Sequence, residues 1–145
     1  MKNLILIVAV TSLFTCLIVG CNFDDSVTTS ASETNSIQGT WSLRHVKGNN
    51  MDLNYSPGDV SWSFDSKASK IIVENKAKND DSNHYNNLKS GTYSYSMFHQ
   101  VLSSYISINA DEVGLLRVND DVLIIDENKK RDQIQTDGYI LTFRR

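Results

Sequence analysis

Val60-Ser61-Trp62-Ser63-Phe64 decides the fold, because large apolar side chains recur at every second position with a serine between each pair. Successive side chains of an extended chain point to opposite faces, so this stretch makes a strand with one apolar and one polar face. The same period recurs in Trp41-Ser42-Leu43-Arg44, in Tyr93-Ser94-Tyr95-Ser96-Met97 and in Ile106-Ser107-Ile108. Near the C-terminus Tyr139, Leu141 and Phe143 share one face, and Thr142 and Arg144 share the other. Two apolar runs, Ile71-Ile72-Val73 and Val122-Leu123-Ile124-Ile125, are continuous and read as strands buried on both sides or twisted at an end. Leu115-Leu116-Arg117-Val118 adds one more short strand. The pattern predicts eight strands, at residues 40–46, 59–65, 69–75, 91–97, 101–108, 112–118, 121–126 and 138–144.

The turn residues agree with that count. Ser56-Pro57-Gly58 is a turn, since proline presets φ and glycine accepts positive φ. Asp65-Ser66-Lys67, Asn109-Ala110-Asp111 and Asn119-Asp120-Asp121 read as short hairpin connections, and Asp137-Gly138 opens the last strand. Two longer loops, residues 76–90 and 127–136, are rich in Asn, Asp and Lys, and loops of that length are commonly functional. A single turn within residues 48–56 is the helical candidate. Eight sequential, half-buried strands must hide their apolar faces and protect two sheet edges. Closing the sheet on itself does both, so the expected fold is all-β: a small antiparallel up-and-down β-barrel, with a β-sandwich as the alternative.

Three short motifs carry a family resemblance. Gly39-Thr40-Trp41 resembles the Gly-x-Trp opening of the lipocalins and related calycin barrels. Together with Gly91-Thr92-Tyr93 and the ending Asp137-Gly138-Tyr139-Ile140-Leu141-Thr142-Phe143-Arg144, it is similar to the short lipocalin-like domains of bacterial lipoproteins. The resemblance spans roughly residues 37–145. It implies that Trp41 plugs one end of the barrel beneath an arginine, here Arg144 or Arg145, and that a ligand enters at the opposite end. The domain is short for a lipocalin, and the family's Thr-Asp-Tyr-like second motif is missing.

The N-terminus reads as an export signal. Lys2 precedes an apolar run over residues 4–19, and Ile18-Val19-Gly20-Cys21 closes it before an abruptly polar stretch. Ile-Val-Gly-Cys resembles the bacterial lipobox, which implies a signal peptide at residues 1–20 and a diacylglycerol on Cys21. An uncleaved transmembrane helix would take about 20 apolar residues. That helix and an ordinary secretion signal are the alternatives. Residues 21–36 are then the lipidated cysteine and a polar tether, and residues 37–145 the barrel. The resemblance implies a place in the bacterial cell envelope, anchored to the outer membrane through the lipid. Asp24 and Asp25 resemble an acidic signal for export to the cell surface, with ordinary linker acids as the alternative.

Charge and cysteine usage exclude several chemistries. Cys16 and Cys21 are the chain's two cysteines. One leaves with the signal and the other takes the lipid, so no disulfide, thiolate zinc site or cysteine nucleophile is expected. Removing the signal takes Lys2 and no acid, leaving 13 bases against 17 acids. That mildly acidic balance argues against nucleic acid.

Trp62, Phe64, Tyr93 and Tyr95 are the candidate wall of a ligand cavity, and the bland reading is that they fill the barrel themselves. Asp80, Asp81 and His84 share a loop, but a solvated Asn-rich loop lacks the converging ligands a metal needs, so no metal is expected. His45 and His99 have no nucleophile or carboxylate at a recognisable spacing. There is no phosphate-binding glycine loop. Lys129-Lys130-Arg131 is flanked by acids and reads as a solvated turn. The expectation is a membrane-anchored, non-catalytic binding barrel for a small apolar or amphipathic ligand, without a cofactor. The alternative is a protein-binding module, such as an enzyme inhibitor or an accessory subunit of a surface complex, that uses the two long loops.

Overall fold

The computed structural model describes residues 36–48, 50–77 and 88–145, all within one unit, Ser32–Arg145. The signal peptide, Cys21 and most of the tether lie outside the described residues, as do Asp80, Asp81 and His84. Nine strands follow one another: β1 (Gly39–Gly48), β2 (Met51–Asn54), β3 (Val60–Asp65), β4 (Lys70–Asn75), β5 (Gly91–Gln100), β6 (Ser103–Ile108), β7 (Asp111–Asn119), β8 (Val122–Asp126) and β9 (Ile140–Arg144). They pair antiparallel in the order β2-β1-β3-β4-β5-β6-β7-β8-β9, and β1 also pairs with β9. The result is a closed eight-stranded up-and-down barrel, with β2 as an extra strand. The all-β barrel expectation holds, and the sandwich does not.

The extra strand replaces the helical turn expected within residues 48–56. β1 is long enough to pair with β3 through residues 39–42 and with β2 through residues 45–48. Residues 56–59 bulge out between these two partners. Asp59 donates its backbone N–H to the Ser56 carbonyl at 3.1 Å, and Gly58 sits at φ 88°. Proline at the second position and a positive-φ glycine at the third define a type II turn. Tyr55 N–H still bonds the Arg44 carbonyl at 3.0 Å, so the ladder resumes directly beside the turn.

Period two fills the interior. Trp41 and Leu43 of β1, Val60, Trp62 and Phe64 of β3, Ile71 and Val73 of β4, and Leu141 and Phe143 of β9 are all buried. Side chains of this size each contribute about 1.5–3 kcal/mol when fully buried. β1 alternates only as far as Leu43. Its register against β9 shifts between Leu43 and His45, and Val46 then points inward again. This is a bulge, which lets one strand bend around a small barrel. A second shift falls between Ile106 and Ser107 on β6, opposite Gly114 and Glu112 of β7. The continuous run on β4 is buried on one side only, since Ile71 is 0% and Val73 2% exposed while Ile72 is 52% exposed. On β8, Leu123 and Ile125 are buried, while Val122 and Ile124 are half-buried.

Tight turns join the later strands. Asn109 and Ala110 both have positive φ, 51° and 72°, as a type I′ hairpin turn requires. β5 runs to Gln100 and β6 starts at Ser103, so Val101 and Leu102 form the turn between them and do not open the later strand as expected. The turns at residues 66–69, 101–102 and 120–121 gather at one end of the barrel with the described N-terminal residues 36–38 and Arg145. Residues 76–77, 88–90 and 127–139 belong to the other end.

Candidate functional site

Trp41 closes the first of these ends. Its indole Nε1 donates to the Ile37 carbonyl at 2.8 Å, and the ring is fully buried. Of the two arginines expected as its cover, Arg145 takes the place, its guanidinium carbon 4.4 Å from the ring centroid. Arg145 is held there by the Asp120 carbonyl, which accepts from its Nη2 at 2.7 Å and from its Nε at 3.0 Å. Arg144 instead pairs with Asp121 at 2.8 Å on the surface.

The four candidate cavity residues divide. Trp62 packs on Phe143 with centroids 4.9 Å apart and on Phe64 at 6.2 Å, and Phe64 meets Tyr95 edge-on at 5.3 Å. These are ordinary aromatic packing distances, so Trp62, Phe64 and Tyr95 fill the interior against one another. Trp62 Nε1 is buried and has no hydrogen-bond partner among the described residues. Tyr93 stands apart, half-buried, its hydroxyl donating to the Lys89 carbonyl at 2.8 Å.

A cleft of about 310 Å³ opens beside this packed interior, at the Trp41 end. Ile37, Met97, Leu116 and Val118 supply its apolar lining, and Ser36, Ser66, His99 and Ser104 its polar groups. His99 and Ser104 are cross-strand partners on β5 and β6, and the imidazole Nδ1 lies 2.9 Å from the hydroxyl. Tyr95 reaches the same region by donating to Ser66 Oγ at 3.2 Å. Met97 and His99 lie on the same face of β5 as Tyr93 and Tyr95, at period two, but both are exposed. That period carried two residues further is the signal that finds them. The cleft sits at the end of the barrel opposite to the expected ligand mouth.

At the far end, residues 127–139 form a pinned loop. Arg131 bonds Glu112 through its backbone N–H at 2.7 Å and through Nε at 2.9 Å, and its guanidinium lies 4.4 Å from the centroid of the Phe98 ring. Lys129 pairs with Asp126 at 3.3 Å, and Gly138 N–H bonds Asn128 Oδ1 at 2.9 Å. The basic cluster is therefore engaged locally. Burial raises the Glu112 pKa, but the backbone and side-chain hydrogen bonds and the charge of Arg131, with Lys130 behind them, outweigh it and hold the carboxyl below the ordinary glutamate value. On β2 the Asp52 carboxyl is lowered chiefly by its 2.7 Å hydrogen bond to His45 Nε2. Burial raises the Tyr55 phenol. Among the described residues, no three His, Cys, Asp or Glu side chains converge as metal ligands would.

No protein-family model, curated protein or solved structure matches the chain.

Proposed function

We propose that this is a lipid-anchored envelope lipoprotein whose barrel is a filled, non-catalytic scaffold, binding a small amphipathic ligand in the cleft at its Trp41 end. The observation that carries this reading is the lining of that cleft, with apolar Met97, Leu116 and Val118 set against the fixed His99–Ser104 pair. A ligand site needs a mostly apolar surface for affinity and a few placed polar groups for orientation. At about 310 Å³ the space lies at the lower limit of ligand pockets, roughly 300–1,000 Å³, which restricts the occupant to a small molecule. The packing of Trp62 on Phe143 and of Phe64 on Tyr95 favours the cleft over the barrel axis as the site. Lipid on Cys21 and the kinship to lipocalin-like domains rest on the sequence motifs.

The test is a Ser104→Trp variant of the chain from residue 22 onward, which fills the cleft from a half-buried strand position. It is expected to keep the β-sheet circular dichroism and to lose uptake of an anilinonaphthalene sulfonate dye. Undiminished uptake would remove the cleft from consideration.

A second reading, a protein-binding module, is favoured by one observation. Ile134 is 84% exposed on a loop that Arg131 and Asn128 hold in place, so an apolar contact is presented without an ordering cost. Ile134→Asp would abolish partner capture under that reading and leave dye uptake unchanged.

A further inference from the structure

We propose that the tip of the β5–β6 hairpin, Val101 and Leu102, inserts into the lipid bilayer to which the protein is anchored; this rests on the reading of Cys21 as lipidated. Val101 and Leu102 are 99% and 96% exposed, and Phe98 and Met97, just behind them, are 47% and 37% exposed. Two-residue hairpin turns favour Asn, Asp and Gly, which accept the positive φ of the primed turn types. A branched apolar pair gains nothing from the fold here, because neither side chain touches the core. Isolated exposed apolar residues need no explanation, but Val101 and Leu102 adjoin each other at the end of a hairpin paired up to Gln100 and Ser103, so they form one contiguous apolar projection.

The place where the undescribed chain begins identifies the contact. Ser36, the first described residue, lines the cleft together with Met97 and His99 of the same hairpin. The segment leading back to Cys21 therefore departs from the end of the barrel that carries the tip. Fourteen residues lie between Cys21 and Ser36, and this stretch spans at most about 50 Å when fully extended. The charges at this end suit an anionic headgroup layer. Lys67, Lys70 and Arg117 make no ion pair among the described residues, and Arg144, paired with Asp121, and Arg145, stacked on Trp41, lie at the same end. Among the described residues the acids there are Asp65, which caps the residue 66–69 turn, Asp121, which is paired with Arg144, and Asp120. Basic side chains near a leaflet of anionic lipids are attracted to it. A tip seated in the headgroups would also turn the cleft toward the lipid, the natural source of an amphipathic ligand.

The test uses the full chain, isolated after export by a bacterial host and mixed with phosphatidylethanolamine–phosphatidylglycerol vesicles, with Leu102→Cys carrying a polarity-sensitive fluorophore. Asp111→Cys, at the opposite end of the barrel, is the control. Quenching of the label at position 102 by doxyl-labelled lipids, several-fold stronger than at position 111, is the expected result. Equal, weak quenching at both positions in protein that floats with the vesicles overturns the insertion and leaves the anchor standing. Protein that does not float overturns the lipidation of Cys21, and the insertion with it.

Discussion

The Arg145 guanidinium carbon lies 4.4 Å from the centre of the Trp41 ring, so the last residue of the chain seals the strand that begins the barrel. The contact closes the cylinder at the end where β1 meets β9. Stacked on a buried indole but itself exposed, Arg145 supplies about 0.5–1 kcal/mol of cation–π attraction. Arg145→Ala is therefore expected to lower stability by about 1 kcal/mol, and Trp41→Ala, which empties a fully buried site, by about 3–5 kcal/mol. Arg144→Ala, which breaks only an exposed surface pair, is expected to cost clearly less, about 0.3 kcal/mol or nothing measurable. Urea midpoints at constant slope would rank the three. Equal losses at Arg144 and Arg145 would contradict the stacking role.

Ala110 stands at φ 72°, where a Cβ crowds the backbone. Asn-Gly is the favoured pair for the turn it occupies. Ala110→Gly should raise stability by about 1 kcal/mol, read as a higher midpoint in chemical or thermal unfolding. A lower midpoint would mean that the turn is not of the type I′ form.

Gly114 occupies the irregular register between β6 and β7, and a Cβ there would collide with the Asp126 carbonyl oxygen across β7 and β8. The obstacle is backbone and cannot swing away. Gly114→Ala is expected to cost about 1–3 kcal/mol, as overpacking does. Gly58→Ala meets no neighbouring atom, so its penalty comes from φ alone. Wild-type stability in Gly114→Ala would show that the two strands can separate at this point.

Acid should release the residue 127–139 loop. The folded-state pKa of Glu112 is depressed, so its contribution is present above the ordinary glutamate pKa, about 4.3, and is lost as the pH falls through the lower folded value. Amide exchange at residues 129–134 is expected to quicken below about pH 4, while amides of β3 and β4 stay protected. Glu112→Gln should show the fast exchange at neutral pH. Uniform loss of protection in all strands would mean that the loop melts only with the barrel.

The barrel was legible because its signal is period two interrupted by turn residues, and both survive without tertiary context. What escaped the sequence were places where a neighbour overrides the local signal. Met51-Asp52-Leu53-Asn54 is too short to show a period, and Ser56-Pro57-Gly58 beside it reads as a break. Only pairing to the far half of β1 makes it a strand. Val101 and Leu102 read as the start of a strand because no turn chemistry marks them. Ile71-Ile72-Val73 looks buried on both faces or twisted at an end, yet Ile72 lies on the outer face of the barrel, where among the described residues it stays 52% exposed. The aromatic set Trp62, Phe64 and Tyr95 was visible, but whether such residues line a cavity or fill it depends on Phe143, which arrives from the other end of the chain. The cleft depends on the juxtaposition of Ser36 and Ile37 with Met97, His99 and Leu116, which no local pattern encodes.

The most direct test of the central claim is native mass spectrometry of the protein isolated from its own envelope, followed by extraction into organic solvent. One small non-covalent adduct per barrel is expected, which extracts as an amphipathic compound and is absent from Ser104→Trp. An adduct-free mass that persists after incubation with envelope lipids, or the same adduct retained by Ser104→Trp, would contradict it.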